Sequence, residues 1–184
     1  SRGTRTRGCM SEHPHYSPPP AQLSAVPARL VLEDGSNFQG YRLGADRQEF
    51  GEVVFTTAMA GYQELLTDPS YRAQILVSTL AHVGNVGINA QDYESELCQV
   101  AGFVVADCPR RYSNWRAEKD LSSWLAERNV AGIWGVDTRA LVRHIRQKGA
   151  MRGVISSDSG VSLAELHDRV LQSPAMEGRD LVAE

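Results

Sequence analysis

The residues to weigh first are those able to do chemistry. Ser70 stands in Asp68-Pro69-Ser70-Tyr71-Arg72, directly after a helix-like run over 61–66. Proline at 69 fixes the backbone, so the turn presents the Ser70 hydroxyl either to solvent, as an ordinary surface loop, or to a ligand. In this setting it is a poor nucleophile. A hydrolase elbow needs Gly-x-Ser-x-Gly or its cysteine counterpart, and the chain contains neither. Ser113, Ser156 and Ser157 lack the flanking glycines as well. The residues alone therefore assemble no complete catalytic constellation.

The other reactive groups give equally little. His82, between an apolar run and Gly84, reads as a turn-stabilising histidine, with a strand-end site residue as the alternative. No His-x-x-x-His or His-Glu-x-x-His spacing occurs, so a metal centre has weak support. The stretch GNVG at 84–87 lacks the Lys-Ser/Thr of a phosphate loop. Cys9, Cys98 and Cys108 are odd in number and widely spaced, with no Cys-x-x-Cys. They read as structural thiols in a reducing compartment. Arg139, Arg143 and Arg146 fall at i, i+4 and i+7, followed by Lys148. That stripe is either a solvated helical face or a surface that docks on an acidic partner.

Around these residues the chain reads as one domain plus a tail. It has 184 residues, 42% of them hydrophobic, and a formal net charge of −3. The charge argues against a nucleic-acid partner, and no apolar run has the length of a membrane span or a signal-peptide core. Residues 1–27 are Arg/Thr/Gly-rich and then Pro-rich, so they read as a disordered tail, with Met10 a candidate natural start behind vector-derived residues.

The positioning elements begin near Ala28. The run 28–43 predicts two strands joined at Asp34-Gly35, a hairpin signal. Strands follow at 50–57, at 74–79 (short and apolar, hence buried on both faces) and at 98–107. An amphipathic helix over 118–129 carries Leu121, Trp124 and Leu125 on one face. A strand at 131–136 leads to a helix capped by Asp137 or Thr138, with Leu141, Val142 and Ile145 inward and Gly149 at its end. A strand at 151–157 precedes a last helix, opened by Ser162 and Glu165 at capping-box spacing, with Leu163, Leu166 and Val170 on one side. The predicted fold is mixed α/β: strand-rich over the first two thirds, helices alternating with strands in the last third.

Several stretches then resemble one family together. They are LVLEDGSNFQG, GEVVFTTAMAGYQELLTDPSYRAQI, HVGNVGINAQD, SNWR, GVDTRALVRHIRQKGAMRGVIS and MEGRDLV, colinear over roughly 29–182. The pattern is similar to the N-terminal domain of the small chain of glutamine-dependent carbamoyl phosphate synthase. The resemblance implies a swivelling β/β/α domain over 28–184, followed in the family by a class I amidotransferase domain with a Cys–His–Glu triad, which this sequence lacks. It implies no catalytic residue and no metal site here. Ammonia released from L-glutamine would pass to a large synthetase chain, which makes carbamoyl phosphate from bicarbonate and ATP for arginine and pyrimidine synthesis in the cytoplasm. ATP and magnesium are expected on that large chain, and no cofactor on this one.

By the same resemblance, Ser70 matches the TDPSY serine that contacts glutamine in the neighbouring amidotransferase pocket. Thr56, Ala58, Ala60, Leu80 and Ala81 depart from the family's usual residues, which touches local packing or interface detail. The family's contact with the large chain extends the docking reading of the Arg139–Lys148 stripe. A stand-alone binding or scaffold domain of the same fold is the alternative function.

Overall fold

The structure is a computed structural model that describes residues 26–58, 62–79, 97–106 and 121–174. His82, the GNVG stretch, Cys9, Cys108 and the 1–25 part of the tail lie outside the described residues.

Seven strands close into a barrel: β1 (Pro27–Leu32), β2 (Asn37–Gly44), β3 (Glu49–Thr56), β4 (Gln74–Ser78), β5 (Gly102–Val104), β6 (Ala131–Trp134) and β7 (Met151–Ser156). Around the barrel the order is β1-β2-β6-β5-β4-β3-β7. The run β3-β4-β5-β6 is parallel, and the remaining pairings are antiparallel. Among the described residues, three helices connect strands, α1 (Tyr62–Thr67), α2 (Leu121–Glu127) and α3 (Thr138–Lys148), and a fourth, α4 (Leu163–Gln172), follows β7. The mixed α/β architecture expected from the sequence is the one observed. Closure removes the exposed sheet edges that an open sheet would present.

Side-chain alternation assigns each strand an inner and an outer face. Leu30, Leu32, Val53, Ile75, Val77, Val104, Ile133 and Ile155 turn inward, and Leu141, Val142 and Ile145 of α3 pack into the same cluster. Leu43, Leu76 and Phe103 face outward, under Leu65 and Leu66 of α1 and Trp124 and Leu125 of α2. Val31 and Val154 face outward under Leu166 and Val170 of α4. β4 is buried on both faces: Ile75, Leu76 and Val77 are all fully buried.

The β1–β2 turn follows its sequence signal. Gly35 takes φ +87°, where glycine carries no side-chain penalty. Ser36 N–H donates to Asp34 Oδ1 (3.0 Å) and Leu32 N–H to the Ser36 carbonyl (2.8 Å). α2 ends on Asn129 at φ +56°, a left-handed cap that lets Val130 N–H reach the Leu125 carbonyl (2.9 Å).

Three expectations need correction. Pro27, assigned to the disordered tail, opens β1 and pairs with Tyr41. β5 is three residues long, against the ten of the predicted 98–107 strand. Its approach is diverted: Gln99 N–H bonds to the Leu66 carbonyl (2.8 Å) and the Gln99 carbonyl to Ala73 N–H (3.0 Å), so these groups secure a turn instead of a ladder. Leu163 is exposed, because at the first position of α4 it lies beyond the sheet that covers Leu166 and Val170. Ser162 caps that helix by accepting from Glu165 N–H (3.2 Å), but the Glu165 carboxylate pairs with Arg169, one turn on.

Candidate functional site

Ser70 occupies a single 3-10 turn, Pro69–Tyr71, between α1 and β4. The local sequence dictates the turn. Asp68 holds an extended conformation (φ −71°, ψ 121°) and its Oδ1 accepts from Ser70 N–H at 2.9 Å. Proline in the first position needs no donor there. Tyr71 N–H bonds to the Asp68 carbonyl and Arg72 N–H to the Pro69 carbonyl, both at 3.1 Å. Ala73 then turns the chain into β4 through φ +58°.

The turn rests on a firm base. Leu65 and Leu66 are buried in the outer cluster, and Tyr71 packs against it. Thr67 Oγ1 donates back to the Gln63 carbonyl (2.7 Å), closing the end of α1. The Ser70 backbone N–H, then its hydroxyl, hold the Asp68 carboxyl below the ordinary aspartate value against a weaker opposing effect of burial. Ser70 is exposed on the outside of this braced turn. The arrangement can present a hydroxyl to a ligand, and among the described residues no histidine lies beside it to activate it. The described histidines lie elsewhere: His144 Nε2 contacts Asp34 Oδ2 at 2.6 Å, and His167 Nε2 contacts the Glu33 carbonyl at 2.8 Å.

Cys98 is also inert. Burial, opposed by the Val100 backbone bond and the Arg128 charge, pushes its thiol up to about 11, so the nucleophilic thiolate is scarce near neutrality. Among the described residues, no group of three or more His, Cys, Asp or Glu could hold a metal ion, and no helix is long and apolar enough to cross a membrane.

The arginine stripe lies at the other end of β4. A groove of about 590 Å³ is lined by Thr57 after β3, Thr79 after β4, and Thr138, Arg139, Val142, Arg143, Arg146 and Gln147 of α3. Asp137 caps α3 by accepting from Ala140 N–H at 3.0 Å, which leaves Thr138 buried as the first helical residue. Thr79 is tied to the end of β3, its N–H and hydroxyl both reaching the Thr56 carbonyl at 3.2 and 3.0 Å. The Arg146 guanidinium lies 5.1 Å above the Phe55 ring.

Arg139 and Arg143 make no hydrogen bond or ion pair with any described residue, and α3 contains no acidic side chain. That pattern opposes helix stability. Like charges at i, i+4 repel by roughly 0.2–0.5 kcal/mol, and a cation in the first turn faces the positive end of the helix dipole, a further ~0.3–1 kcal/mol. The sequence singled out the arginines but not Thr57 or Thr79. The available signal was their position, each directly after a strand of the parallel half, where open α/β sheets place ligands. Asp68 was likewise passed over, although Asp two residues before Ser, across Pro, is an Asx-turn pattern.

A closed barrel, a braced serine turn and a basic groove define a mixed α/β domain. The family model for the carbamoyl-phosphate synthase small chain, CPSase domain, matches residues 30–155. The chain belongs to that family. It is 58% identical over 130 residues to the carbamoyl phosphate synthase small chain of Aquifex aeolicus (strain VF5), covering 71% of this chain and 35% of that protein. It is 53% identical over 164 residues to that of Streptomyces coelicolor (86% of this chain, 42% of the relative). It is 49% identical over 160 residues to that of Rhodopirellula baltica (87% and 41%). The chain thus spans 35–42% of the length of these relatives.

Proposed function

We propose that this chain is the N-terminal, non-catalytic domain of a glutamine-hydrolysing carbamoyl phosphate synthase small chain. In the complete enzyme glutamine is hydrolysed on an amidotransferase domain outside these residues. The ammonia moves to a large chain, where bicarbonate and ATP, with magnesium, yield carbamoyl phosphate in the cytoplasm for arginine and pyrimidine synthesis. The family match supports this context. The observation that carries it to a residue is the Asp68-capped turn, which fixes an exposed Ser70 hydroxyl on a rigid base.

Ser70 then contributes binding, not bond breaking. A free amino acid carries a carboxylate and an ammonium group, and both need fixed polar partners. With Asp68 and Pro69 holding the backbone, little conformational entropy is lost when the hydroxyl meets substrate. The purified 184-residue chain is expected to hydrolyse no glutamine, and to co-purify with the large chain more firmly when the amidotransferase domain is attached. Glutaminase activity of this chain alone, checked by ammonia release, would contradict the assignment.

A further inference from the structure

We propose that Asp34-Gly35 is a latent site of aspartate isomerisation, held closed by His144 of α3 together with the other anchors of the β1–β2 turn. The inference is independent of Ser70 and of any partner chain.

The sequence supplies the reactive pair. The chain contains one Asp-Gly dipeptide and no Asn-Gly. With no side chain on Gly35 to shield it, the amide nitrogen of a flexible Asp-Gly pair can reach the aspartate carboxyl. After losing its proton, that nitrogen attacks Asp34 Cγ. A carbon–nitrogen bond forms, one carboxyl oxygen leaves as water, and a five-membered imide closes. Water then opens the imide at either carbonyl. Opening at Cγ restores aspartate. Opening at the Asp34 main-chain carbonyl breaks its bond to the Gly35 nitrogen and leaves the backbone running through Cβ and Cγ. Water is lost once and regained once, and no other reactant enters. Asp34 and Gly35 are both exposed, so solvent reaches them.

Ring closure needs a free nitrogen, a free carboxyl and rotation of the backbone between them. The fold engages all three. Gly35 N–H donates to the Leu32 carbonyl at 3.0 Å. Asp34 Oδ1 accepts from Ser36 N–H at 3.0 Å, and Oδ2 accepts from His144 Nε2 at 2.6 Å. Burial raises the pKa of Asp34, but Ser36 and His144 outweigh it, so the neutral acid that the reaction consumes is scarcer than in a free aspartate. The residue before the pair is fixed as well. Glu33 N–H donates to the Arg152 carbonyl (2.9 Å), and the Glu33 carbonyl accepts from His167 Nε2 of α4 (2.8 Å). The Glu33 carboxylate accepts from Arg152 Nε and Nη2 at 3.0 and 2.8 Å. β7, α3 and α4 thus all grip one short turn. Isomerisation would lengthen that turn by one backbone carbon and carry the carboxylate away from His144, releasing α3 from it.

The test ages the complete small chain that contains these residues at neutral pH and physiological temperature. Isomerised Asp34 is counted in peptide maps by its resistance to an aspartate-specific protease. A free peptide of sequence LVLEDGSNFQG gives the unrestrained rate. The folded wild type should isomerise on the order of 100-fold more slowly than the peptide, because two backbone residues must first be unfixed. His144→Leu should speed the folded chain by about 10-fold, the equivalent of one lost hydrogen bond to a charged group. His144→Gln, which keeps an N–H donor, should stay within about threefold of wild type. Circular dichroism checks each fold. If His144→Leu does not fold, His144→Asn carries the same test, since its amide is too short to replace Nε2.

A folded wild type that isomerises as fast as the peptide overturns the proposal. So does a folded His144→Leu or His144→Asn that ages no faster than wild type. Equal acceleration in His144→Leu and His144→Gln also overturns it, because packing of the ring, not its hydrogen bond, would then be the guard.

Discussion

The two ends of β4 are built by different means. At its N-terminal end, Asp68, Pro69 and Ser70 make the turn among themselves, with one side-chain bond of 2.9 Å and a fixed proline. At its C-terminal end, Thr57, Thr79 and the α3 arginines come from separate parts of the chain, brought together by barrel closure. One is a local device carried on the outer helical layer. The other is a non-local surface seated on the barrel interior through Leu141, Val142 and Ile145. A local device can tune a single hydroxyl, whereas a non-local surface depends on barrel closure. The strand between them, rigid and buried on both faces, separates the two by roughly 15 Å.

The largest effects should come from removing the supports. Leu66 underlies the serine turn and Leu141 the groove, and both are fully buried. Leu66→Ala and Leu141→Ala should each cost about 2–5 kcal/mol in urea unfolding, through lost burial and a residual cavity. Both variants should unfold in one transition, since the inner and outer layers share the same strands. A separate early transition in Leu66→Ala alone would show that the two ends are not supported by one cooperative unit.

A smaller, more selective effect is expected at Asp68. In the complete enzyme, Asp68→Ala should raise the KM for glutamine, while Asp68→Asn, which keeps an acceptor for Ser70 N–H, should retain most of the wild-type behaviour. Neither should change association with the large chain. Loss of association in Asp68→Ala would show that the local device does more than hold one hydroxyl.

Acid should act on the groove end through Asp34. Burial raises its pKa, but the Ser36 N–H and hydroxyl and His144 outweigh it, leaving the folded value below the ordinary 3.8. A carboxyl depressed by folding adds stability above its unfolded pKa and loses it as pH falls through the folded one. Asp34→Asn should therefore flatten the decline of stability below about pH 4, read from thermal midpoints across that range. Because His144 belongs to α3, the lost contact loosens the helix that carries the arginines. The smallest effect concerns Cys98, whose alkylation by iodoacetamide at pH 7 should be far slower folded than in urea, given a thiol pushed up to about 11.

What the sequence reveals follows the same division. The Asp34-Gly35 turn, the inward face of α3 and the apolar β4 all follow local rules of turn chemistry and periodicity, and the structure reproduces them. The early end of β5 does not follow such rules, because Gln99 spends its backbone groups on Leu66 and Ala73, partners more than twenty residues distant. Barrel closure is similarly hidden: β2 pairs with β6 and β3 with β7 across long stretches of chain. The arginine stripe was visible as a spacing, but the groove was not, since Thr57 and Thr79 join it only through strand pairing. Ser70 was visible as a presented hydroxyl, and its proposed ligand came from family resemblance, not from the turn itself.

The account turns on Ser70, so the most direct measurement compares the two nitrogen sources in the complete two-chain enzyme. Ser70→Ala should raise the KM for glutamine by about fivefold, on the order of 1 kcal/mol for one lost hydrogen bond, and leave ammonia-dependent synthesis unchanged. Equal kinetics with glutamine in wild type and Ser70→Ala, or a matching loss with ammonia, would contradict the assignment of Ser70 to glutamine.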